Sequence, residues 1–495
     1  MDYCAANGLP FFTDGKTYSI TQLAIPSGLV WYAANTKIVQ LAGANCAALV
    51  NKTPSFGART DKGIRILGRL FVDCNGANQA DTEASGLVNA GVRFAGVDAL
   101  HLDVHVSNAR RYAFFLVNCR NVTGDPTVTH NPAIPSFNKD GFHVNGNSSD
   151  IRLGVLTVEN GEDDALALNA NDVDHGGGWT AANLSGPIMN VSVGQLVLRN
   201  CRQGVRTLSA TQPVANVNIG SVTGDVSVYA FNAQDYGLGT SSWYKNIRVE
   251  SISVDYKDNP GASTLGLVNI VTNNPNVSEM SDFWFGNIDR GQVGAVGAAR
   301  ETMQLTLKRT VVKVDRIIER YCSNTTSVKM SGGGTAAEFW LNEFEKGSSA
   351  QSGGNWGCAV QLAAVPALDV LRIRSVNCDY LRNLVVATSS VVEEMHIGKW
   401  PVTTGSTPLY FNGTTNVKKL FLQEPNATTL SAGNRYTLAD TATVGAAWPP
   451  VRNGLTASRP TNPGPGDMYY DASLGRPIWW NSVSGKWAFQ DGTLA

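Results

Sequence analysis

Asp140, Asp163 and Asp164 carry the side chains whose type and spacing point most directly to chemistry. Phe142 and Val144 alternate in the same way as Leu166 and Leu168, 24 residues further on. If both pairs point into a core, Asp140 lies beside Asp164 on a neighbouring strand, about 4.8 Å away, with Asp163 diagonal to both. Three carboxylates on one face repel one another, which raises at least one pKa. A carboxyl that stays protonated can act as an acid, and an ionised neighbour can activate water. The same register sets His143, Ala167 and Arg206 in one outward column, where the small Ala167 leaves a notch between two polar side chains. The plainer reading is that Asp140-Gly141 is a turn pair and Asp163-Asp164 caps a corner.

Such a site needs strands stacked one above another, and the sequence carries a repeat that supplies them. An Asp or Asn is followed by alternating apolar positions in Asp150-IRLGVLTV, Asn190-VSVGQLVL, Asn216-VNIGSVTG and Asn246-IRVESISV, with starts 40, 26 and 30 residues apart. Each copy is a short strand with one apolar face. Coiling the chain so that each copy lies on the last pairs the backbone in parallel ladders and makes a continuous core. The 40-residue interval contains an excursion, DVDHGGGW. There His175 could swing over the site, with Trp179 as a stacking platform. Shortening residues 174–178 is then expected to leave the core untouched. Taken alone, His175 and His130 are ordinary loop residues.

Fainter copies at Val370-LRI, Val392-EEMHI and Val417-KKLFL lie 22 and 25 residues apart. The fold class expected is all-β: a single-stranded right-handed parallel β-helix, or solenoid, with a small C-terminal β-module. Residues 1–30 read as the remnant of an N-terminal cap and 31–435 as the helix, less regular at about 280–360, where a β-sandwich is the plainer alternative. Residues 441–495 read as the module. Its Tyr469, Tyr470, Trp479, Trp480 and Trp487 suit packing better than sugar stacking.

Composition narrows the function. The chain has 495 residues, 50 glycines, 43% hydrophobic and 16% charged residues, a β-rich profile. With 39 basic against 40 acidic residues and no basic run, nothing suits a phosphate backbone, so no nucleic-acid partner is expected. No stretch is long and apolar enough for membrane insertion, and MDYCAANGLP has no signal-peptide pattern. The eight cysteines have no zinc-type spacing and read as buried apolar thiols. No cofactor is called for, and no metal site: the acidic cluster offers oxygens of the kind Ca²⁺ takes, but nothing demands the ion.

Residues 138–172 resemble the polygalacturonase-related branch of the pectate-lyase-like β-helix glycoside hydrolases. There an Asn-x-Asp motif precedes an Asp-Asp pair by one rung, often with DGxH and ALNA. This chain has Asn138-Lys139-Asp140-Gly141-Phe142-His143, then Asp163-Asp164 and Ala167-Leu168-Asn169-Ala170. The resemblance implies that Asp163 protonates the leaving oxygen while Asp140 and Asp164 prepare water for an inverting displacement. CRQGVRTLS resembles the family's NGVRIK stretch, in which the cations hold a substrate carboxylate. Arg206 matches the arginine, whereas Leu208 stands at the lysine, which implies a substrate other than plain polygalacturonate. Glu162 replaces the glycine before the pair, and a Gly-His-Gly motif is missing. Asn138, His143, Arg206, His175 and Trp179 are the substrate-binding candidates.

The opening DYCAANGLPFF resembles the first rungs of pectate-lyase-like proteins, with almost no capping helix before Gly8. The segment after residue 440 resembles the C-terminal module of phage tail proteins. Together these features resemble the tailspike depolymerases of bacteriophages. That resemblance implies synthesis in the host bacterial cytoplasm, residence as a homotrimer on the virion tail through a removed N-terminal part, and cleavage of a bacterial surface polysaccharide: capsule, exopolysaccharide or O-antigen. Two other functions suit the same groove: a polysaccharide lyase, with Arg206 or His143 as base, and an adhesin that binds glycan without turnover.

Overall fold

In the computed structural model the chain divides into two compact units, Met1–Leu305 and Thr306–Ala495. Each contains parallel strands wound as a single-stranded β-helix, and the second also carries a small separate sheet. The structure describes residues 1–83, 85–135, 138–238, 242–257, 265–275, 278–293, 301–320, 326–346, 358–378, 383–400, 409–422, 436–438, 443–448, 452–454, 459, 468–471, 473–474, 476–481 and 485–489. Among them, α-helix is confined to Asp2–Ala6 and Ala181–Leu184.

One face of the first unit carries the short strands Ala90–Ala95, Tyr112–Val117, Phe142–Asn145 and Asp164–Asn169, then the ends of the long strands Ile188–Leu208 and Val214–Gln234. Their register stacks Val92, Phe114, Phe142, Leu166, Val205 and Phe231 in one interior column. All six are buried, and the Phe114 and Phe142 rings lie 5.2 Å apart. Burying a side chain of this size stabilises the fold by about 1.5–3 kcal/mol, so a slip by one residue, which would turn the whole column outward, is strongly opposed. The residues between them form the outward column Arg93, Phe115, His143, Ala167, Arg206 and Asn232.

The repeat read from the sequence has a backbone cause. Asp150, Asn190, Asn216 and Asn246 all have positive φ, between 52° and 59°, a region that Asn and Asp enter at least cost among residues with a side chain. Their side chains then form a ladder: Asn190 donates to Asp150 at 3.0 Å, Asn216 to Asn190 at 3.0 Å and Asn246 to Asn216 at 3.2 Å. Ile151, Val191, Val217 and Ile247 follow in register. The long first interval is an excursion over residues 170–187, between two strands of the ladder.

Phe11–Phe12, within the segment read as a cap remnant, already pairs in parallel with Trp31 and Tyr32 of the β-helix. In the second unit, Thr310–Glu319, Ala337–Lys346, Leu368–Asn377, Val391–Lys399, Asn416–Leu422 and Thr443–Trp448 form one parallel ladder. It therefore reaches into the segment read as the C-terminal module. Val370 pairs with Glu394, not with Val392, whose partner is Leu368. The sequence register was off by two, a slip that leaves apolar alternation intact and so is invisible to a pattern of period two.

Beyond the ladder, Arg452–Gly454, Met468–Asp471, Arg476–Asn481 and Lys486–Ala488 form a four-stranded sheet. Tyr469, Ile478 and Trp487 make its core, with Trp480 and Phe489 packed against them. The cysteine expectation holds for Cys74, Cys119, Cys201, Cys358 and Cys378, which are buried, but not for Cys4 and Cys46, which are partly exposed. Cys322 lies outside the described residues.

Candidate active site

The register expected from the 24-residue spacing is the one observed. Phe142 pairs with Leu166, His143 with Ala167 and Val144 with Leu168, and Arg206 follows Ala167. Gly141 makes the approach of the two rungs possible: a β-carbon there would lie 2.4 Å from the Ala165 carbonyl oxygen and 2.6 Å from a Val158 methyl. The Gly141 amide donates to the Asp164 carbonyl at 2.9 Å. Asp140, Asp163 and Asp164 thus line one cleft of about 340 Å³, together with Asn138, His143, His175 and Arg206.

Each carboxylate has different neighbours. Asp164 is buried. Its Oδ1 accepts from the Tyr229 hydroxyl at 2.6 Å, and its Oδ2 lies 3.4 Å from Arg206 Nη1. Withdrawal from water pushes its pKa up, to about 6, against the opposing charge of Arg206. Asp163 is only partly covered. Desolvation, then the charges of Asp140 and Asp164, push its carboxyl well above the usual range. Asp140 Oδ2 accepts from His143 Nδ1 at 2.6 Å, while its Oδ1 has no hydrogen-bond partner. An acid held protonated thus stands beside groups able to accept a proton.

His143 is buried between two anions, not displayed on an open surface. Its Nε2 donates to Asp172 Oδ2 at 3.0 Å, and His175 Nε2 lies 3.3 Å from that same oxygen. Burial works against a charged ring, but Asp140 and Asp172 outweigh it and raise the His143 pKa to about 10. Burial likewise works against Asp172, and the hydrogen bond from His143, with the His175 ring close by, holds it well below the usual carboxylate range. Asn138 donates to the Tyr112 hydroxyl at 2.7 Å. Arg206 stacks on Tyr236, 4.2 Å from the ring centre.

The expectation for Trp179 is corrected. Its ring is buried, 4.9 Å from Phe56 and 5.2 Å from Phe115, with the Arg93 guanidinium 5.5 Å above it. No face remains for a sugar. The excursion is seated, not swinging: the Val88 amide donates to the His175 carbonyl at 3.0 Å, and Trp179 packs with Leu87, Tyr112 and Leu184. Gly176, at φ 80°, has no room for a β-carbon, which would lie 2.1 Å from the Gly86 carbonyl oxygen. His175 does line the cleft, held from behind. His130 is buried and contacts the Asp140 carbonyl at 3.1 Å.

Asp172, Tyr112, Tyr229 and Gln203 were not found by sequence reasoning. Tyr229 touches both Asp164 and Gln203, and it pairs with Gln203 on the next rung. The step that aligned Ala167 with Arg206, carried one rung further, leads to it. Asp172 comes two residues after the ALNA stretch, off the ladder, so no periodicity marks it.

No family model matches the chain, so the polygalacturonase-type resemblance stands on the motif residues alone. No curated protein matches it. Among solved structures it is similar to tailspike protein 3 of bacteriophage CBA120, at 11% identity and a TM-score of 0.22, over all of this chain and 66% of that one. The chain thus spans just under two thirds of that protein's length.

Proposed function

We propose that the protein binds a bacterial surface polysaccharide in this cleft and hydrolyses it, as a homotrimeric phage tailspike. The observation that carries the reading is the convergence of Asp140, Asp163 and Asp164 from successive rungs on one cleft. Asp163, kept protonated by its surroundings, gives its proton to the glycosidic oxygen. Asp140 takes a proton from the attacking water, and Asp164, held by Tyr229 and Arg206, steadies the charge beside it. Attack from the face opposite the leaving group inverts the anomeric centre. An elimination led by His143 is poorly supported, because a ring that donates from both nitrogens has no lone pair to act as base.

A panel of capsular and O-antigen polysaccharides, assayed for new reducing ends, tests the reading. Asp163→Asn and Asp140→Asn should each lower turnover by about 10² to 10⁴ with glycan binding largely kept. Proton NMR of the first product should show the inverted anomer. Unsaturated ends would assign a lyase instead, and binding without any product would assign an adhesin.

A further inference from the structure

His143 places one ring nitrogen on each of two carboxylates. Nδ1 is 2.6 Å from Asp140 on its own rung, and Nε2 is 3.0 Å from Asp172 on the excursion. A neutral imidazole carries a single N–H and can serve only one of these acceptors, whereas an imidazolium serves both. Other groups also face the ring. Tyr112, on the preceding rung, has its ring centre 5.0 Å away, and His175 6.4 Å away. Asn145 Oδ1, an acceptor 3.3 Å from Nε2, suits a protonated ring, as does the negative charge of Asp164 on the next rung; Asn169 Nδ2, a donor 3.5 Å from the same nitrogen, does not add to it. Asn169 also donates to Asp172 at 3.3 Å, which fixes the outer carboxylate in turn.

We infer that Asp172 is a positioning residue: through His143 it fixes the orientation of Asp140, so that Oδ2 is held and Oδ1 is left to take the proton. The inference rests on the reading of Asp140 as the group that activates water. It gives the excursion a task that neither motif nor repeat assigns, since the chain leaves the ladder after Asn169 to bring Asp172 back against His143. With Asp172 neutral, one of the two anions that stabilise the imidazolium is gone. A neutral ring protonated at Nε2 would turn the Nδ1 lone pair toward Asp140, and the carboxylate would lose its donor.

The test uses the full chain labelled with nitrogen-15 histidine, as wild type, Asp172→Asn and Asp172→Glu. Ring nitrogen shifts and turnover are followed against pH, with the His143 signal assigned by its loss in His143→Gln. Wild-type His143 should keep both ring protons at neutral pH and lose one only near its raised pKa of about 10. In Asp172→Asn the midpoint should fall by about one to three pH units. The kcat of that variant should drop with the same midpoint, while KM changes little and Asp172→Glu restores both. A purely structural role would lower activity evenly across pH. A wild-type His143 with one ring proton at neutral pH overturns the inference, as does a kcat in Asp172→Asn that ignores the His143 midpoint. Full activity in Asp140→Asn and Asp163→Asn would instead remove the hydrolytic reading. Loss of turnover in those two beside an unchanged Asp172→Asn profile removes the tether alone.

Discussion

Asp163, His143 and Asp172 each tie folding to pH, and the direction of each tie follows from the sign of its shift. Asp163 titrates higher in the fold than in the unfolded chain, so stability is lost as pH rises through its raised value. Asp163→Asn removes that loss and should raise the melting temperature at neutral pH. The gain should vanish below about pH 3.9, where the unfolded chain too is protonated. His143 is also raised, to about 10, and its contribution is complete below the unfolded value and lost as pH climbs through the folded one. Asp172 is lowered and loses its contribution only in acid. Removing the cation between two buried anions by His143→Ala should cost about 3–5 kcal/mol at neutral pH, the cost of leaving buried charge unpaired. Thermal unfolding across pH reads both effects. At this scale the sequence displayed Asp140 beside Asp164 because both lie on the ladder with a fixed spacing. It concealed the His143–Asp172 pair because one partner lies off the ladder.

Residues 170–187 show how an element can be evident in length and obscure in purpose. The 40-residue interval announced an excursion, but spacing carries no information on what a loop packs against. Three consecutive glycines with positive φ, Gly176, Gly177 and Gly178, lay the chain against Gly86 and Leu87. That contact brings Trp179 down on Phe115. Trp179→Ala should therefore destabilise the protein by about 3–5 kcal/mol, as truncation of a large buried aromatic does, and a shift in thermal unfolding will measure it. Shortening residues 174–178 should likewise lower stability as well as glycan binding, against the expectation of an untouched core. An unchanged melting temperature in either variant would show that the excursion only rests on the sheet.

For the whole molecule, the parallel β-helix was legible because its cause is local and repeated. A residue at positive φ and an alternating strand recur over the four rungs from Asp150 to Asn246, and stacking follows from the need to pair every backbone group. Assembly has no such periodic signature and has to be argued from surface. Tyr3, Phe12 and Tyr32 are 73%, 66% and 42% exposed, and the Phe12 and Tyr32 rings stack 5.0 Å apart. The exposed Phe12–Tyr32 pair is the surface that association would cover, and closed symmetry is the usual means by which identical chains cover such surface. On the tailspike reading proposed above, light scattering at micromolar concentration should give three times the chain mass of 52.8 kDa. Phe12→Asp with Tyr32→Asp, a pair remote in sequence from the cleft, should dissociate the particle and leave each chain folded. A wild-type protein that scatters as a single chain would refute the trimer and confine binding and catalysis to the cleft of one chain.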